Sequence, residues 1–237
     1  MNAHDVTECA GVQGRVDGGT CGGRSRIGCR RRGGFTLLEA ALALVILGVG
    51  VLALIESQAM FFAHNRYSTS AATGMYLCTE LRERIRRLPR HDPVTGLYFE
   101  GTGQSASLQG WGAESSETSF LYYNDLDDYD GATFGAGGTF VGPIDSAGVA
   151  ISEVMPDGSI MENDEGEPVS MQGWSQRVQV QKVLPFDTST TVAANATQSS
   201  PPVLVDQFSL RVTITAFYQG PTDTSPREMA RLVFIQP

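Results

Sequence analysis

From Phe35 to Ile55 nearly every position is apolar, the exceptions being Thr36, Glu39 and the small residues Gly48 and Gly50. At about 1.5 Å per residue such a run makes a helix of roughly 30 Å, the thickness of a hydrocarbon core. After Ile55 the pattern changes. Ala71, Met75, Cys78, Leu81, Ile85 and Leu88 recur at spacings of three and four, which predicts an amphipathic helix with one buried face. Pro89 cannot donate to the preceding turn and ends it. Together the two patterns predict one helix over 35–88, roughly 80 Å long, with 35–55 in a membrane and 56–88 amphipathic. Gly48 and Gly50 each weaken it by about 1 kcal/mol relative to Ala, so bending or local melting is expected there when the helix packs among copies of itself.

The remainder, 89–237, predicts a loop-rich β head. Leu97-Tyr98-Phe99 predicts one short strand, and Phe120-Leu121-Tyr122-Tyr123 another. Residues 131–172 hold eight glycines, three prolines and an acidic run from Glu162 to Glu167; they predict a long polar loop region, with a hairpin at Asp157-Gly158. Alternation resumes at Trp174–Leu184, with Trp174, Val178, Val180 and Leu184 on one face. It returns at Val203–Tyr218, with Phe208, Leu210, Val212, Ile214, Ala216 and Tyr218 on one side, and Met229–Ile235 forms a last strand. Asp187–Pro202 is Ser-, Thr- and Pro-rich and predicts a connection. These strands form an antiparallel meander with one buried face, for which the 71–88 stripe is the natural cover. The fold class is α+β: a long N-terminal membrane-spanning helix packed on a C-terminal antiparallel sheet.

Charge divides the 237 residues in the same way. Residues 1–34 carry six arginines against Asp5, Glu8 and Asp17, a net +3, so the rest carries −9 − 3 = −12. The cations lie N-terminal to the apolar run and predict a cytoplasmic N-terminus with the head outside. An acidic head argues against binding nucleic acid through a broad basic face. Arg82, Arg84, Arg86, Arg87 and Arg90 cluster at the helix end, where the dipole favours cations. They read as a solvated face or, alternatively, as a contact with an acidic neighbour or DNA. Cys9, Cys21 and Cys29 lie before the apolar run, so residues 35–237 hold only Cys78 and can form no internal disulfide. Cys78 lies on the apolar stripe and reads as a small core residue.

The most specific stretch is Arg30-Arg31-Arg32-Gly33-Gly34-Phe35-Thr36-Leu37-Leu38-Glu39. It resembles the class III signal of type IV pilins and type II secretion pseudopilins. The resemblance implies that residues 1–34 are a leader removed by a prepilin peptidase cutting after Gly34. Phe35 becomes the N-methylated N-terminus, and Glu39 meets the terminal amine of a neighbouring subunit. It implies as partners the peptidase, other pilins or pseudopilins and the inner membrane, which the chain crosses once before its head enters a filament. A carboxylate near the centre of a membrane helix costs about 2.5–3.5 kcal/mol, less near an end. Pairing it with a neighbour's amine removes the penalty of both buried charges and sets an axial offset between subunits. An ordinary signal anchor with Glu39 snorkelling to the interface is the bland alternative.

Asn124-Asp125-Leu126-Asp127-Asp128-Tyr129-Asp130-Gly131 resembles a segment of minor pilins of the mannose-sensitive haemagglutinin type, and the chain as a whole is most similar to a minor pilin of that or the PilV type. Its aspartates Asp125, Asp127, Asp128 and Asp130 are also calcium candidates, because calcium takes six to eight oxygens. The register is wrong for an EF-hand loop, and clustered acids also serve turns. No cofactor is otherwise expected. His64 and His91 neighbour no nucleophile motif, and the chain has no P-loop, Rossmann fingerprint or zinc-protease motif, so a structural subunit is expected and not an enzyme. Three roles remain open: a minor pilin, a pseudopilin of type II secretion, and a filament-mounted adhesin or DNA-binding tip.

Overall fold

The computed structural model describes residues 36–101, 106–199 and 201–237. The chain divides after Leu54 into two units. One helix, α1 (Leu37–Ile85, 49 residues), passes through both. Its apolar part reaches a mean hydropathy of 2.6 over an 18-residue window, long and apolar enough to cross a membrane. Gly48 and Gly50 lie inside it without interrupting it.

In the second unit α1 buries Gly74, Leu77, Cys78, Leu81 and Ile85. The expected stripe is corrected at one position: Met75 is 47% exposed, and Gly74 takes its place. Gly74 works there because it has no side chain. A Cβ on it would lie 3.1 Å from the Cβ atoms of Met229 and Ala230. The helix also stops at Ile85, not at Leu88. Leu88 N–H donates to Ile85 O at 3.1 Å in a tight turn, as expected for a residue that precedes proline and is disfavoured in the α region.

The sheet that receives this face has the order β3 (Thr133–Gly135), β4 (Trp174–Leu184), β8 (Ser209–Tyr218), β9 (Arg227–Gln236), all antiparallel. Pairing of β4 with β8 runs from Trp174 opposite Tyr218 to Val183 opposite Ser209. A strand absent from the sequence reading, β5 (Asp187–Val192), pairs with the last residues of β4. It was hidden because its Asp, Ser and Thr side chains are exposed and give no alternation. Two small ladders lie apart: β1 (Tyr98–Glu100) with β2 (Ser107–Gln109), and β6 (Gln198–Ser199) with β7 (Pro202–Val203).

Alternation on β4 and β8 places Val178, Val180, Leu210, Val212 and Ile214 in the core with Leu77, Leu81, Ile85, Leu126, Tyr129 and Phe134. Polar residues complete the inward face of β4. Buried Gln176 donates to Leu77 O at 2.8 Å and Ile144 O at 3.0 Å and accepts from Ile144 N–H at 2.8 Å. One amide thus ties helix, sheet and loop together and leaves no orphaned group.

Phe120–Tyr123 is a turn and not a strand. Tyr122 N–H donates to Ser119 O at 2.9 Å. Phe120 and Tyr123, three apart, both face inward onto Phe140, while Leu121 and Tyr122 are exposed. The region 143–171 is a series of tight antiparallel turns, pairing Ile144 with Ala150, Val154 with Ile160 and Glu162 with Pro168. The expected Asp157-Gly158 hairpin is the middle one, closed by Met155 N–H donating to Ser159 O at 2.8 Å.

Candidate functional site

Two places carry candidate chemistry. The first is the start of α1. Thr36 caps it: its Oγ1 accepts from Glu39 N–H at 3.2 Å, and its carbonyl accepts from Ala40 N–H at 3.1 Å. Thr36-x-x-Glu39 is the spacing of a capping box, a local signal that hydropathy alone does not reveal. Beyond it Leu37 is 90% and Leu38 78% exposed, and no described residue up to Leu54 is buried. Glu39 is exposed as well. Gly34 and Phe35 lie outside the described residues.

The second place is an acidic nest in the head. Leu126 N–H donates to Pro89 O at 3.0 Å, which fastens a short 3-10 helix (Asp127–Tyr129) beside the chain leaving α1. Leu126 and Tyr129 point into the core, so the aspartates around them are carried inward too. Asp125, Asp127 and Asp128 are buried. Asp125 Oδ1 accepts from Asp128 N–H at 3.2 Å, and Asp128 Oδ2 accepts from the Asn124 and Asp125 N–H groups at 2.9 and 3.1 Å.

Glu114 and Glu117, from the preceding loop, close the nest. Glu117 accepts from Glu114 N–H at 3.3 Å and from the Asn124 amide at 2.8 Å. Asp130, expected among the metal candidates, lies apart: its Oδ1 accepts from Val180 N–H at 2.9 Å and anchors the turn to β4. Sequence reasoning could not find Glu114 and Glu117, since they reach the nest from a separate loop with no motif.

Asp127 differs from its neighbours in having positive company. Its Oδ2 lies 3.2 Å from His91 Nδ1 and accepts from Gly112 N–H at 3.4 Å, and its charge acts on Lys182. Lys182 is buried on β4; its ammonium donates to Ala194 O and Val205 O and lies over the Trp111 and Phe208 rings. Burial pulls Lys182 down to about 8. Burial, and then the Lys182 charge, pulls His91 down to about 4, so this imidazole is neutral at pH 7. Burial holds Asp125, Asp127, Asp128 and Glu117 above the usual carboxylate range. The charges of Asp127 and Asp128 raise Asp125 further, Glu114 raises Asp128, and Asp128 raises Glu117.

The arginines at the helix end are partly engaged. Arg84 donates to Tyr129 Oη at 3.0 Å, Arg90 donates to Phe208 O at 3.0 Å, and Arg86 pairs with Glu83 at 3.1 Å. Of the five, Arg86 and Arg87 are the exposed ones.

Residues 29–55 match the family model of the prokaryotic N-terminal methylation motif. The motif marks a type IV pilin-like or pseudopilin precursor. The match takes in Gly34, Phe35, Glu39 and the apolar run and does not extend to the head. No curated protein and no solved structure matches the chain. The α+β architecture is pilin-like, the motif points to a structural subunit rather than an enzyme, and the apolar helix fits membrane anchoring.

Proposed function

We propose that the protein is a minor pilin-like subunit of a type IV pilus-type filament. Prepilin peptidase cuts the precursor after Gly34, Phe35 is N-methylated, and the freed amine of one subunit pairs with Glu39 of the next. The inner membrane holds the processed chain until α1 joins a bundle of similar helices. The observation that carries this reading is the methylation motif over 29–55 in front of a helix whose apolar residues are unburied as far as Leu54. Those side chains need lipid or other helices, and Glu39 needs a cation that its own apolar surroundings do not supply.

The test is incorporation of tagged protein into sheared filaments. Glu39→Ala should insert in the membrane normally yet lose incorporation by an order of magnitude or more. Glu39→Ala entering filaments as well as the parent does would overturn the pairing and leave a membrane-tethered head.

A further inference from the structure

We propose that Glu114, Asp125 and Asp128 form a calcium site that staples the 112–128 loop of the head, independently of the assembly role. The geometry fits one ion. One carboxylate oxygen from each of the three residues lies within 4.8 Å of the other two. That is close enough for one ion, bound at about 2.4 Å from each oxygen, to touch all three. Three carboxylates held on an irregular loop suit calcium's flexible coordination better than magnesium's strict octahedron. An all-carboxylate set also suits a hard cation rather than zinc or copper.

The second observation is a set of orphaned oxygens. Asp125 and Asp128 are 1% and 3% exposed, yet Asp125 Oδ2 and Asp128 Oδ1 have no hydrogen-bond partner, and neither do the two carboxylate oxygens of Glu114. Buried carboxylate oxygens are normally bonded, and unmet ones on three residues whose carboxylates come within 4.8 Å of one another call for a cation. The groups that should compensate them are engaged elsewhere: Lys182 donates to Val205 O at 2.6 Å, and Arg84 to Tyr129 Oη at 3.0 Å. The remaining oxygens of Asp125 and Asp128 accept backbone N–H groups, which holds each carboxylate in place and leaves its other oxygen open to an ion. Glu117, which accepts from Glu114 N–H at 3.3 Å, adds a further carboxylate beside them. Cys78, the one free cysteine of the described residues, leaves no disulfide to hold this loop, and an ion bridging 114 to 125 and 128 would do so.

The experiment uses the full chain in detergent, stripped with chelator and titrated with calcium chloride alone. Calorimetry and thermal unfolding are followed, with terbium luminescence excited through Tyr123, whose hydroxyl feels the Asp128 and Glu117 charges. The expected result is saturable binding with Kd on the order of 10⁻⁴ M, as in extracellular calcium modules, and a Tm raised by several degrees. Glu114→Gln breaks no internal bond of that carboxylate and should weaken binding about tenfold, since affinity follows ligand charge. Asp128→Asn should do the same, while Asp157→Asn, on an exposed turn, should change nothing. Absence of saturable binding in the parent protein would overturn the site, as would undiminished affinity in Glu114→Gln. If Asp128→Asn does not fold, the parent and Glu114→Gln titrations decide alone.

Discussion

The helix up to Leu54 and the head beyond it satisfy their apolar residues in opposite ways. In the head, Leu77, Phe134, Val178 and Ile214 are all 0% exposed, covered by side chains of the same polypeptide. In the first unit Leu44, Ile46 and Leu52 are as apolar and are 70%, 63% and 63% exposed. The contrast teaches that the head's apolar residues find their cover within the chain, whereas those of the first unit are left uncovered, which fits membrane anchoring. Substitutions should therefore act on stability in one region and on insertion and assembly in the other.

The largest effect expected inside the head is at Phe134, which packs on Phe120, Tyr129 and Phe140. Phe134→Ala should cost about 3–5 kcal/mol of unfolding free energy in a denaturant titration. Membrane fractionation should be unchanged. The mirror substitution, Ile46→Lys, should cost about 2.5–3.5 kcal/mol of insertion and deplete the membrane fraction while leaving the folded head's denaturation midpoint alone. If either one moved both readouts, the division between the regions would blur.

Smaller effects sharpen the comparison where helix meets sheet. Gln176→Leu leaves Ile144 N–H and two carbonyls without their partner, and should lower stability by about 1–3 kcal/mol. Gly74→Val should destabilise by about 1–3 kcal/mol through overpacking against Met229 and Ala230, whereas Gly48→Val, with nothing within 4 Å, should leave the head untouched. The smallest signal is chemical. Burial pushes the Cys78 thiol up to about 11. It should resist alkylation at pH 8 until the head opens. Because the folded state holds this proton more tightly than the unfolded state, its contribution to stability is complete below the ordinary thiol range and fades as pH rises towards 11. Rapid labelling of folded protein at pH 8 would show the helix face to be loosely seated.

How much of this was legible follows the same divide. The apolar run needed only composition, and β4, β8 and β9 needed only alternation. What alternation hid were Gln176 and Lys182, polar residues at inward positions whose partners are backbone carbonyls far away in sequence. The helix stripe slipped from Gly74 to Met75 because a glycine carries no hydropathy signal, and its value there is the space it leaves. The aspartate run at 125–130 was visible as a cluster. Its division was not: Asp130 turns to β4, Asp127 to His91, and Asp125 and Asp128 towards Glu114, because backbone geometry and not spacing aims each side chain.

The proposed assembly role depends most on which residue begins the processed chain. Intact mass and N-terminal sequencing of protein purified from the membrane of its own host test that directly. The predicted result is a chain starting at Phe35 and heavier by one methyl group. A chain that still carries residues upstream of Gly34 would contradict processing, and with it the pairing of a terminal amine with Glu39.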